Sequence, residues 1–212
     1  MKLDIKIPES LNDLTLLQWQ KISKVASIKN VTELDIGIKI LEVVYGIPVD
    51  YVDKMQSKDI TNLIAEYQKS IDNKPKFKSK FKFNDVLYGF IPNLDEITAG
   101  ELIDIDSYSK GVDTNHKLMS ILYRPIIKQS GTDYEVEKYN GANSSLKNMP
   151  LGIALAAQGF FLTLGNELTQ SIIASLRVEN PQLLNKALQK SGVGISQLTH
   201  LQGVTSSDMM KS

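Results

Sequence analysis

The chain has 212 residues, 42% of them hydrophobic and 23% charged, which is ordinary globular usage for one domain or one domain with appendages. Its 24 basic and 24 acidic residues cancel, so it lacks the basic excess that phosphate contacts demand of a dedicated nucleic-acid binder. There is no cysteine and there are two histidines, His116 and His200, which excludes disulfides, thiolate metal sites, a cysteine nucleophile and a multi-histidine metal site built from this chain alone.

The N-terminal MKLDIKIPES lacks the apolar run of a signal peptide. LDIKI (3–7) alternates apolar and polar residues and stops at Pro8, which predicts a short strand. Thr15 is placed to cap a helix over 16–27, with Leu16, Trp19, Ile22 and Val25 at helical spacing. Trp19 is expected in the core. A second helix, 33–45, follows Thr32 as its cap; Gly46 stands where a left-handed C-cap belongs and Pro48 lies just beyond. A third, 58–72, carries one apolar stripe through Ile60, Leu63, Ile64, Tyr67 and Ile71.

KPKFKSKFKFND (74–85) poses a choice between a nucleic-acid-binding stretch and a strand with one wet face. In an extended chain Lys78, Lys80 and Lys82 share one face, while Phe77, Phe81 and Phe83 share the other. Asn84-Asp85 is a turn signal, and VLYGFIP (86–92) is a second extended run. The expectation is a central β-hairpin with phenylalanines inward and lysines outward, where they discourage edge-to-edge pairing. Stacking on bases needs aromatics beside the lysines, and the alternation separates the two, which argues against nucleic acid as a partner. The basic strand from Lys74 to Lys82 still defines an alternative function as a nucleic-acid-binding accessory protein.

Thr98 to Glu101 forms a capping-box pattern, so a helix should begin at Ala99, with Ile97 and Leu102 as a hydrophobic staple. NHKLMSILYRP (115–125) predicts a helix ended by Pro125. Arg124 then falls in its last turn, where the helix dipole favours a cation, and Arg124 with Asp104 is a candidate internal anchor. IIKQ (126–129) and DYEVEKY (133–139) flank Ser130-Gly131 and suggest a second hairpin. In 149–168 no charge lies between Lys147 and Glu167. Its apolar core, 151–165, is shorter than the roughly 20 residues of a membrane span, so a buried central helix starting near Pro150 is expected, with Gly152, Ala156 and Gly159 as a close-packing stripe. From Asn180 the composition shifts. The domain organisation expected is a single helical α+β domain over 1–178, then a flexible or partner-ordered tail over 179–212. In the tail, Leu183, Leu184 and Leu188 are candidate partner contacts, as are Lys78, Lys80 and Lys82.

The chain contains no Walker loop, complete GxGxxG fingerprint or GxSxG elbow. Asp95, Glu96, Glu101, Asp104 and Asp106 form its most acidic cluster. Clustered carboxylates hold cations in metal-dependent enzymes, and such an enzyme, with His116 as an added ligand or base, is a second alternative. Solvated acidic residues near a helix N-terminus explain the cluster without a metal, so no catalytic residue, cofactor or metal ligand is assigned.

Four blocks, FKFNDVLYGFIPNLDEITAGELIDID (81–106), HKLMSILYRPI (116–126), DYEVEKYNG (133–141) and NMPLGIALAAQGFFLTLGNEL (148–168), resemble in their order a family of small proteins encoded among the virion and tail-assembly genes of tailed bacteriophages. The resemblance covers roughly residues 1 to 175 and is most specific from ITAGELIDID to LYRPI. It implies a non-enzymatic virion component or tail assembly chaperone acting through protein–protein contacts. The implied partners are other phage structural or tail proteins, with a homo-oligomer in keeping with repeated virion parts. The implied location is the virion or the host cytoplasm, without a membrane. The fold class expected overall is α+β and predominantly α-helical: a helical core, a central β-hairpin and a short N-terminal strand.

Overall fold

The computed structural model describes residues 5–164, apart from the side chain of Asp95. Their order is α1 (Leu16–Ala26), α2 (Glu33–Tyr45), the single turn α3 (Val49–Val52), α4 (Ser57–Ile71), β1 (Lys80–Phe83), β2 (Val86–Phe90), α5 (Ala99–Tyr108), α6 (Asn115–Leu122), β3 (Tyr123–Ser130), β4 (Asp133–Val136) and a helix over 151–164, here α7. The fold is α+β with helices predominating. The strands form one antiparallel sheet in the order β1-β2-β3-β4.

Local chemistry sets the helix starts. Thr15, Thr32 and Thr98 each accept a hydrogen bond from the backbone N–H three residues on, and the side chain at that position accepts from the threonine N–H in return. These reciprocal bonds satisfy donors that a helix start otherwise strands. Gly46 ends α2 at φ +67°, a conformation that costs glycine little. The α4 stripe is only partly buried: Tyr67 is in the core, whereas Ile71 is 39% exposed.

α1 packs on α2 and α2 on α4, while α5 packs on α6. Leu16, Leu41, Met119, Leu122 and Leu151 are among the residues withdrawn from solvent at the centre. The start of α1 is clipped to the start of α7: Leu16 N–H donates to Met149 and Leu151 N–H donates to Leu14. α7 buries its first turns, including Gly152, Ala154 and Ala157. Gly152 and Ala156 fulfil the close-packing expectation, but Gly159 is exposed and a Cβ there would meet nothing within 4 Å. No helix among the described residues is long and apolar enough to cross a membrane.

The hairpin β1–β2 forms as its sequence suggests. Phe83 pairs with Val86 across the two-residue turn, and both turn residues take positive φ, Asn84 at 46° and Asp85 at 61°. Positive φ at both positions is the turn whose twist matches paired strands.

Two expectations fail for tertiary reasons. Residues 5–7 belong to no strand, because nothing among the described residues pairs with them. The helix expected from Asn115 to just before Pro125 ends at Leu122; Tyr123, Arg124 and Pro125 instead pair with Phe90, Gly89 and Tyr88 in the sheet. Arg124 therefore occupies a strand, not a helix's last turn. The chain divides into two units, residues 1–160 and 161–212. Phe160 supplies a ring to the first unit's aromatic cluster. Of the second unit only 161–164 are among the described residues.

Candidate interaction surface

Two faces of the sheet divide the chemistry. One face is aromatic. Phe81 lies edge-on to Tyr123 with centroids 4.9 Å apart, and Phe90 lies edge-on to Tyr123 at 5.3 Å. Phe77 stacks on Phe160 at 4.2 Å. Burial raises the pKa of the Tyr123 hydroxyl well above its ordinary value, and that hydroxyl donates to the Lys78 carbonyl. Phe77 and Phe81 of the basic stretch are therefore committed to packing, and Phe77 is not a free platform for a base.

The lysines take the opposite side, with different surroundings. Lys78 and Lys82 are exposed, and Lys82 pairs with Asp85 at 2.9 Å. Lys80 is half-buried, with its Nζ 5.3 Å from the centroid of the Tyr134 ring. Tyr134 also lies over Gly89, where a Cβ would come within 2.9 Å of Ile126 Cγ1 and closer still to the tyrosine ring. Its hydroxyl donates to the Phe90 carbonyl at 2.8 Å. Glycine at position 89 thus lets the β3–β4 hairpin close over β2. Leu183, Leu184 and Leu188 lie outside the described residues.

Glu101, Asp104 and Asp106 of the acidic segment do not converge on one point. Glu101, the N3 residue of α5, is 3% exposed. Its Oε2 accepts from Thr98 N–H at 2.8 Å and from the Thr98 hydroxyl at 2.7 Å. Its Oε1 lies 3.0 Å from Arg124 Nη2, in a pair whose side chains are 13% and 4% exposed. The internal anchor therefore exists, but the partner of Arg124 is Glu101 and not Asp104. Asp104 accepts a hydrogen bond from Tyr139, and burial followed by this bond raises the tyrosine's pKa. Asp106 pairs outward with Lys110 at 2.7 Å. Each carboxylate serves a different neighbour. No group of three or more histidine or acidic side chains among the described residues is arranged to hold a metal ion.

His116, at the start of α6, is 8% exposed, and its Nδ1 lies 3.1 Å from Gln20 Nε2. Burial lowers its pKa, and Lys147 and Lys117 lower it further against Asp113. It therefore reads as a neutral core residue held by an amide.

Above the Arg124–Glu101 pair runs an open groove of about 580 Å³, lined by Ile91, Ile97, Tyr134 and Tyr139 and bordered by Glu96 and Glu137. Next to it α5 turns its usual chemistry inside out. It buries Glu101 and Ile105 but leaves Leu102 and Ile103 60% and 66% exposed. Leu102 is consequently not sealed by the staple expected with Ile97. Buried charge and exposed large apolar groups are the informative departures from normal patterning. The capping box in TAGE was readable from sequence; that its glutamate would be buried was not, since burial depends on Arg124 arriving from a strand. Comparison with known proteins finds no matching protein family, no matching curated protein and no matching solved structure.

Proposed function

We propose that this chain is a non-enzymatic structural or assembly protein of a tailed bacteriophage, acting through contacts with other phage structural or tail proteins, in the virion or in the host cytoplasm during assembly. The observation that supports it best is the outward apolar pair Leu102 and Ile103 on a helix whose inward face spends a glutamate on an arginine. Exposed apolar side chains gain by burial against a partner. The groove beside them offers mixed apolar and charged walls, suited to a protein segment. The segment from ITAGELIDID to LYRPI, where the phage-family resemblance is most specific, carries Leu102 and Ile103 and gives the groove Ile97, Thr98, Glu101 and Arg124.

Mass spectrometry of purified virions from the source phage tests the proposal. A fixed copy number against the portal or major capsid protein identifies a structural subunit. Absence from virions, with capture of a tail or connector protein in infected cells, identifies an assembly chaperone. Absence from virions together with no phage structural partner overturns the proposal.

A further inference from the structure

The two edges of the sheet carry opposite charge. Residues 74–82, which lead into and form most of β1, hold five lysines and no acid. Residues 133–137, which contain β4, hold three carboxylates, Asp133, Glu135 and Glu137, and no base. β1 and β4 stand at opposite ends of the strand order, and neither pairs with a further strand among the described residues.

The backbone register shows which groups each edge offers. Phe90 N–H donates to Ser79, and Phe83 pairs with Val86 at the turn. Ser79, Phe81 and Phe83 thus bond inward to β2, while the N–H and C=O of Lys80 and Lys82 face outward. At the other edge Glu137 N–H donates to Pro125, and Asp133 pairs with Ser130 at the turn. There Tyr134 and Val136 face outward. In a parallel pairing each outward-facing residue lies beside an inward-facing residue of its neighbour, with both side chains on one face. A β1 edge laid along a β4 edge in that sense places Lys80 beside Glu135 and Lys82 beside Glu137.

We propose that copies of this chain associate head to tail, the β1 edge of one against the β4 edge of the next. Like edges repel: β1 against β1 sets lysines together, and β4 against β4 sets carboxylates together. Edge charges of one sign therefore block the self-pairing that closes a two-fold dimer, and the opposite sign on the far edge attracts. The existing ion pairs compete weakly, since Lys82 and Asp85 are 66% and 96% exposed, and Lys128 and Glu135 are 69% and 61% exposed. A head-to-tail contact generates a ring or a filament rather than a closed dimer. The proposal deepens the reading of this chain as an assembly component and rests on it, naming a second copy as one partner.

Sedimentation of the full chain at several protein concentrations, in low and high salt, tests the contact. The expected result is a mean mass that rises with concentration above the single-chain 23.6 kDa in low salt and returns to it in high salt. Two charge-reversed proteins, Lys78→Glu with Lys82→Glu and Asp133→Lys with Glu137→Lys, should each sediment as single chains, and an equimolar mixture should associate again. All four side chains are exposed, so both proteins should melt as the parent does. A parent that stays monomeric at every salt, association that both variants retain, or a mixture that stays monomeric overturns the edge contact. Such a result leaves the assembly reading standing if the protein is still found in virions or bound to a tail protein.

Discussion

Helices α2 and α5 begin with the same device and end in opposite arrangements. Each opens on a threonine cap whose N3 carboxylate bonds back to the cap. In α2 that carboxylate, Asp35, stays in solvent, its pKa lowered by the Thr32 hydroxyl and N–H, while Ile40 and Leu41 fill the core. In α5 the carboxylate is Glu101, sunk against Arg124, while Leu102 and Ile103 face out. The local motif fixes where a helix starts. What the helix then buries depends on the neighbour it meets.

The sharpest way to break this contrast is Arg124→Met. It leaves Glu101 as a buried charge without its counter-ion, which should cost about 3–5 kcal/mol. For a chain of this size each kcal/mol lowers Tm by about 2–4 °C. Adding Glu101→Gln removes the stranded charge and should recover most of the loss. Thermal melts of the single and double variants decide it, and a single-variant loss under about 1 kcal/mol would place Glu101 in effective contact with water.

The caps provide a smaller test. Thr32→Ala should cost about 1 kcal/mol and Thr98→Ala about 2, the upper end of the range for caps. The difference arises because Thr98 also satisfies a buried Glu101 oxygen. Equal losses in urea unfolding would show that the two caps are energetically the same.

A second buried polar residue separates charge satisfaction from neutral satisfaction. His116 has a folded pKa below its ordinary 6.5. Below about pH 6.5 the unfolded chain takes up a proton that the folded imidazole refuses, so stability should fall with pH from there. This contribution is complete above the unfolded pKa and is lost as pH drops toward the folded one. His116→Gln should flatten the stability profile between about pH 7 and pH 5.5; an unchanged slope assigns the effect to other groups.

The smallest stability effect should come from the outward pair. Leu102→Ser with Ile103→Ser should shift stability by no more than about 0.5 kcal/mol per site, yet, on the function proposed above, should abolish capture of any protein partner. Retained capture would remove the α5 face from the interaction surface.

Sequence alone settled what depends on a few consecutive residues. Threonine caps, Gly46, the Asn84-Asp85 turn and the lysine–phenylalanine alternation act through bonds and dihedrals spanning four residues or fewer, and all appear in place. Tertiary structure decided the rest. The ladder to β2 made Tyr123–Pro125 a strand where periodicity alone continued the helix, and it brought Arg124 to Glu101 rather than to Asp104. The close approach of Tyr134 over Gly89 and the opposite charge of the two sheet edges exist only because strands far apart in sequence share one sheet. Local propensities are set residue by residue, whereas burial and pairing are set by which distant segment packs against a surface with bonds left to satisfy.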